Sequence, residues 1–401
     1  MEVLNRKTIA LLLLGCSVAG PLCARAGTAA LGPVKVFILA GQSNMEGKAL
    51  ASTLDAVIAD ADTHDRFAHL KTHGKWTVRD DVWVTFLDRK TKGPAGDIPR
   101  FGPLSVGFGG FKTDRDENNR KFAALTIGPE LGIGYVLGDH FDEQVLLIKA
   151  AWGGRAVKKT FRPPSAMPGD EQIKEELAAI KANAPETEMT FDGLKETYGS
   201  DYRKVISETH RVLDNIKQYF PEYDEARGYE IAGFVWFQGW NDAIGAGNRD
   251  YPEQMAHFIR DIRRDLEAPD LPFVIGELGT DGPDAEGWIA TFRAQQARIA
   301  AMEEFRDNVR VAKTALYWPT GLPDMQDEWN EFRANARKNE AKTEDDPTRI
   351  DPGLFFQKNW RQRYKRQLAY TSDKRYHYLG SGACYYQMGE SMGRAMLEMM
   401  K

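Results

Sequence analysis

Apolar residues gather along the chain into five short runs: VKVFIL at 34–39, QVLLIKAA at 144–151, IAGFVWF at 231–237, LPFVIGEL at 271–278 and VRVAKTALY at 309–317. Each is rich in branched or aromatic residues, and most lack strict alternation. That is the pattern of strands buried on both faces of a parallel sheet. Between the runs, apolar positions recur with helical spacing at 128–141, 201–220, 251–267 and 287–304, and again in a last helix at 379–400. Alternating strand and helix predicts an α/β fold, a three-layer, doubly wound and mostly parallel five-stranded sheet. Two polar stretches, about 162–200 (with PPSAMPGDEQ) and 321–372, read as surface insertions on a single domain spanning 27–401. The glycine- and proline-rich region 51–120, with GPAGDIPRFGPLSVGFGGFK, reads as long loops.

The first 26 residues read differently. Arg6 and Lys7 precede the apolar stretch 8–14, and Ala24-Arg25-Ala26 has the small-x-small form of a cleavage site. This is the pattern of a secretory signal, too short to span a bilayer stably. A second reading takes Leu13-Leu14-Gly15-Cys16 as a lipobox, with lipid attached at Cys16; both readings export the protein. Of three cysteines only Cys384 remains after cleavage at 26, so no intramolecular disulfide forms. The formal charge is -5, and removing Glu2, Arg6, Lys7 and Arg25 takes away a net +2, leaving -7. A mildly acidic exported chain is a poor partner for nucleic acid or an anionic membrane, and no later segment reads as a membrane span.

Candidate chemistry sits at the ends of the runs. In a parallel sheet, ligands bind beyond the carboxyl ends of the strands. The first run leads into Gly41-Gln42-Ser43-Asn44-Met45, the second into Trp152-Gly153-Gly154-Arg155, and the third into Gln238-Gly239-Trp240-Asn241-Asp242. A serine after the first strand is a candidate nucleophile, although a serine there also serves as a plain helix cap. Two glycines permit close backbone approach, and a side-chain amide donates to an oxyanion without bringing charge. Each turn alone reads as a tight connection. Three on successive strands converge on one face.

A base for Ser43 comes from few candidates. His64, His69 and His73 lie in a polar segment, where the i,i+4 spacing of His69 and His73 would suit a metal on a helix but lacks a third ligand. His140, His210 and His257 fall within helical patterns. His377 stands apart, in the loop SDKRYHYLG just before the last helix, a position suited to a general base.

Together these blocks resemble the SGNH hydrolases, and more closely their sialate O-acetylesterase and acetylxylan esterase branch, carbohydrate esterase family six. The resemblance implies a carbohydrate O-acetylesterase with Ser43 as nucleophile and His377 as base. Oxyanion donors would be the Ser43 N–H, a Gly153 or Gly154 N–H, and the side chain of Gln238 or Asn241. The family places an aspartate three residues before the histidine; here Lys374 holds that position and Asp373 lies one residue earlier. Asp373, Glu277 or a backbone carbonyl could orient His377. Asp242 reads as structural. The implied mechanism needs no metal or organic cofactor, and the partner would be an acetylated oligo- or polysaccharide. Substrate contacts are expected from Gln42, Asn44, Arg155 and Trp240, with the FRPPS segment at 161–165 near Arg155. Trp152 and Trp318 are further stacking candidates, and Trp236 reads as core. Two other functions fit parts of the chain: an esterase or lipase for non-carbohydrate esters, though no long apolar lid is evident, and a carbohydrate-binding relative that has lost catalysis, hinted at by Lys374.

Overall fold

The computed structural model describes residues 32–401, apart from 94–95, 116–119, 221–222, 245–248, 320 and 341–359. The predicted signal at 1–26, with Cys16 and Cys23, therefore lies outside the described residues. The architecture is mixed α/β around a seven-stranded, mostly parallel sheet. Its strands in chain order are β1 (Val34–Gly41), β2 (Arg79–Gly93), β3 (Gly96–Leu104), β4 (Val145–Ala151), β5 (Tyr229–Phe237), β6 (Phe273–Gly276) and β7 (Val309–Ala312). The spatial order is β7-β6-β5-β1-β4-β2-β3, with only β3 antiparallel to its neighbour.

The sheet thus has seven strands where the apolar runs predicted five. Both additional strands fall in the region read as loops. Val82, Val84 and Phe86 are fully buried at alternate positions of β2, but Arg79-Asp80-Asp81 and Asp88 flank that short apolar run closely. Glycine and proline in β3 hide an edge strand, which tolerates them because it pairs on one side only. The fifth run was also read too long: β7 stops at Ala312, and Thr314–Tyr317 forms a 3₁₀ turn.

The five helical patterns are present as α1 (Glu130–His140), α2 (Ser200–Leu213), α3 (Tyr251–Asp265), α4 (Gly287–Ala300) and α5 (Gly382–Glu398). Along α3, Met255, Phe258, Ile259 and Ile262 are buried, which is the i, i+3, i+4, i+7 stripe of an amphipathic helix. They pack with Ile38, Ala40, Phe234 and Trp236. Phe37 and Leu39, on the alternate face of β1, pack instead with residues of α1 and α5. Burying both faces explains why β1 shows no polar alternation. The stretch 162–200 carries helices Asp170–Asn183 and Phe191–Thr197, and 321–372 opens with helix Leu322–Glu340. Cys384 is buried in α5, and burial pushes its thiol up to about 12.

Candidate active site

The register of the sheet assembles the site. Gly41 pairs with Ala151 on one side and Phe237 on the other, so three strands end at one level. The turns that follow, at Gln42, Trp152 and Gln238, lie side by side. The ladder runs one step further: Gln42 N–H donates to the Phe237 carbonyl (3.2 Å) and Trp152 N–H to the Gly41 carbonyl (3.1 Å). Gly41 has φ +148°, and a Cβ there would stand 2.2 Å from the Phe237 carbonyl oxygen, so only glycine fits where the chain leaves the sheet.

Above these ends lies a cavity of about 470 Å³ lined by Ser43, Gly154, Arg155, Trp240, Asn241 and His377, among others. That volume falls in the ~300–1,000 Å³ range of small-molecule sites. Ser43 opens the one-turn helix Ser43–Glu46. His377 reaches the same cavity from the loop before α5. Its Nδ1 lies 3.0 Å from Asp373 Oδ1. Just after His377 the loop turns tightly, with Tyr378 (φ 50°) and Leu379 (φ 55°) in left-handed conformations. Burial pushes the Asp373 carboxyl up, but hydrogen bonds from His377, Lys112 and the Lys374 N–H outweigh it and hold the group well below the usual carboxylate range. Glu277 does not reach His377. Its carboxylate meets Lys313 Nζ (3.3 Å) and the Ala315 N–H (3.4 Å) at the end of β6.

The two amides of the third turn have different surroundings. Gln238 is buried, and its NH₂ faces three acceptors: Gln42 Oε1 (3.1 Å), the Arg155 carbonyl (3.0 Å) and Asp242 Oδ2 (2.7 Å). It does not line the cavity. Asn241 does, and its Oδ1 accepts from Gln42 Nε2 at 3.1 Å. Gly153 and Gly154 both line the cavity, but the Gly153 N–H is engaged by Glu46 Oε2 at 2.8 Å, and Gly154 has open room around its Cα.

Of the two amides expected as substrate contacts, Gln42 lines the cavity and Asn44 does not, and both brace the turns. Gln42 Oε1 also accepts from the Gly239 and Asn241 N–H groups, both at 3.3 Å, so one amide ties the first turn to the third. Asn44 Nδ2 donates to the Tyr376 carbonyl (3.2 Å) and its Oδ1 accepts from Tyr385 Oη (2.9 Å), so both ends are occupied. Asp242, read as structural, accepts from the Val157 N–H (2.7 Å) and the Lys158 N–H (3.1 Å) and so fastens the second turn to the third.

Arg155 lines the cavity, with its Nε 3.2 Å from the buried Asp201. The FRPPS segment does not line it: Phe161 is buried against Trp236, and Ser165 bonds His257 and Asp261 on α3. Trp240 forms one wall, its ring 5.3 Å from both Tyr376 and Trp288. Trp152 also lines the cavity, donating its Nε1–H to the Leu87 carbonyl at 3.0 Å; Trp236 is core, and Trp318 packs on Tyr378 away from the cavity. The His69–His73 spacing does not fall on a helix. His69 sits in a 3₁₀ turn and bonds Tyr386 Oη at 2.8 Å, and His73 lies in the turn between the short strands Lys71–Thr72 and Lys75–Trp76.

Sequence reasoning missed the polar residues behind Ser43. Lys149, in the middle of an apolar run, is fully buried and donates to Glu130 Oε2 (2.6 Å) and to the carbonyls of Glu46 (2.9 Å) and Phe108 (2.7 Å). A charge inside a predicted strand was the available signal, since an interior lysine requires a partner. Glu46, Lys48, Asp88 and Tyr376 also line the cavity and were not foreseen.

A family model described as carbohydrate esterase, sialic acid-specific acetylesterase, matches residues 33–332, which include the first three turns but not His377. Solved structures resemble the chain at low identity: a protein from Arabidopsis thaliana (18% identity, 70% of this chain and 84% of that one, TM-score 0.36), a carbohydrate acetylesterase from Xanthomonas citri (17%, 69% and 49%, 0.38) and NanS (16%, 70% and 78%, 0.39). No curated protein matches. With the family model spanning 300 residues from 33 to 332, the chain belongs to the carbohydrate esterases of the sialic acid-specific acetylesterase family.

Proposed function

We propose that this carbohydrate esterase is an exported O-acetylesterase of the SGNH type, in the branch of carbohydrate esterase family six, working through a serine acyl-enzyme. Two apolar clusters on opposite faces of the sheet support the three-layer arrangement of that superfamily and a single domain over 27–401. The observation that carries the mechanism is His377 Nδ1 at 3.0 Å from Asp373, with His377 and Ser43 on one cavity. An imidazole whose Nδ1–H is held by a carboxylate keeps Nε2 free to accept a proton.

His377 takes the proton of Ser43 as its Oγ attacks the acetyl carbonyl. The developing oxyanion receives the Ser43 and Gly154 N–H groups and the Asn241 NH₂; Gly153 and Gln238 shape the hole without donating to it. His377 then returns the proton to the departing sugar hydroxyl, and water activated by the same imidazole hydrolyses the acetyl-enzyme. Trp240 and Tyr376 offer stacking surfaces for the sugar ring, and Arg155 a hydrogen-bonding cation. The signal at 1–26 directs export, with lipid at Cys16 as the other form of the leader. No helix among the described residues is long and apolar enough to cross a membrane.

The test is acetate release from p-nitrophenyl acetate and acetylated xylan and sialic acid. Wild type is expected to be active and Ser43→Ala inactive on every substrate. Binding of an acetylated glycan without acetate release by the wild type overturns the reading.

A further inference from the structure

The histidine loop holds its aspartate in a way that the motifs do not account for. Asp373 is a largely buried carboxylate on a chain segment outside the sheet. One oxygen, Oδ1, serves His377 and accepts the Lys374 N–H at 2.7 Å. The other, Oδ2, is ion-paired with Lys112, which belongs to a segment about 260 residues away in sequence. Lys112 Nζ also donates to the Lys48 carbonyl (2.5 Å) and the Ser372 carbonyl (3.3 Å). It thus touches three things at once: the segment leading out of the nucleophile helix, the backbone of the histidine loop and the free edge of the carboxylate. Lys112 itself is fixed by the chain around it, since its carbonyl accepts the Ala124 N–H at 3.0 Å beside the hairpin of Thr113–Arg115 and Lys121–Ala123.

The loop needs such an anchor. Left-handed conformations at Tyr378 and Leu379 are strained and persist only where the surroundings over-determine them. Tyr378 is fixed by burial and by its hydroxyl accepting the Gly279 N–H at 2.8 Å. Ser372 and Asp373 N–H groups both bond the Leu379 carbonyl, closing the loop on itself. Gly380, with φ +63°, leaves no room for a Cβ, which would stand 2.6 Å from the Asp373 nitrogen. These contacts set the backbone of the loop, the Lys374 N–H and His377 engage Oδ1 of the carboxylate, and Lys112 holds Oδ2.

We propose that Lys112 is a positioning residue for the esterase reaction, clamping Asp373 so that its other oxygen faces His377. This rests on the Ser43–His377–Asp373 reading. The other charged or titratable groups around the pair do not substitute for it. Glu46 and Lys48 bond each other on the nucleophile side, and Tyr385 of α5 gives its hydroxyl to Asn44. Asp88, across the cavity, is held by Arg100. Arg375, on the same loop, turns outward to Asp281 (2.6 Å) and Asp327 (3.0 Å).

The experiment compares wild type, Lys112→Met, Lys112→Arg and Ser43→Ala by kcat and KM on p-nitrophenyl acetate. Thermal unfolding of each variant confirms folding. Lys112→Met is expected to lose kcat by about 10–100-fold, as for a misplaced catalytic group, with KM little changed. Lys112→Arg, which keeps the charge, restores most of the rate. The proposal is overturned by a folded Lys112→Met with wild-type kcat. It is equally overturned if kcat falls and Lys112→Arg gives no rescue, because that is the signature of packing alone. An active Ser43→Ala protein removes the triad reading itself, and Lys112 with it, whatever the lysine variants do.

Discussion

The Ser43 turn and the histidine loop face each other across one cavity, yet they are held by different physics. The turn at 42–46 leaves the centre of a parallel sheet. Its backbone extends the β-ladder to both neighbours, and the Gln42 amide knits it to the third turn. Beneath it the Lys149 ammonium, which burial pushes down and Glu130 pushes up, donates to the Glu46 carbonyl. The histidine loop lies on no strand. Two left-handed residues shape it, and contacts from far along the chain hold it: Lys112 at its carboxylate, Asp281 and Asp327 at Arg375, the Gly279 N–H at Tyr378. The turn inherits its rigidity from the sheet, whereas the loop acquires it side chain by side chain. Damage to the first should therefore cost stability as well as rate, and damage to the second mainly rate.

The largest effect expected on the nucleophile side is Ser43→Ala. Acetyl release should fall on the order of 10⁶-fold if the serine carries the acyl group, with unfolding temperature near wild type. Burst kinetics with p-nitrophenyl acetate, seen in wild type and absent from the variant, check that an acetyl-enzyme forms.

Next comes Glu130→Gln, a variant that touches no cavity residue. Removing one partner from a fully buried ion pair costs about 3–5 kcal/mol, because the remaining charge is left without compensation. Lys149 and Glu130 both have no exposed side-chain surface. Urea denaturation should show that loss. A Glu130→Gln protein as stable as wild type would mean that the sheet alone holds the turn.

Asn241→Ala separates the two amides of the third turn. Loss of one oxyanion donor typically lowers kcat by about 10²–10³-fold, with KM little changed. The same change at Gln238 should instead lower stability, since its NH₂ faces three internal acceptors. If Gln238→Ala alone loses kcat, the two roles are reversed.

The same contrast governs what could be read from the sequence. Ser43, the glycine pair, the third-turn amides and His377 were legible because each stands at a strand end or before a helix, positions that periodicity locates. Asp373 was legible only through a family spacing that this chain breaks. Lys112, Glu130 and Tyr376 were not legible. Their partners lie 19 to more than 300 residues away in sequence, and nothing local encodes such pairing. Gln42 and Asn44 were read as substrate contacts because a polar residue beside Ser43 looks available; the four and two internal bonds that their amides make were not legible, since the partners lie far along the chain. In the fold, β2 was missed for the opposite reason: its apolar core is genuine, but charges crowd both ends of a run only six residues long.

One residue spans the two regions. Asn44 sits next to the nucleophile, donates to the Tyr376 carbonyl beside His377, and accepts from Tyr385 on the last helix. Asn44→Ala leaves the buried Tyr385 hydroxyl without its acceptor, which costs about 1–3 kcal/mol, less than the loss expected for Glu130→Gln. Its kinetic effect should exceed what that number implies for a core residue, because the link sets the distance between Ser43 and His377 rather than the shape of either. The expected pattern is a lower kcat at unchanged KM, with Ser43 still reactive toward a small phosphonylating reagent at a reduced rate. Combining Asn44→Ala with Lys112→Met then tests whether the loop has two independent anchors. Additive losses in rate mean that each fixes a separate part of the loop. A double variant no worse than Lys112→Met means that the carboxylate clamp governs the loop, and that Asn44 matters only while the clamp is in place.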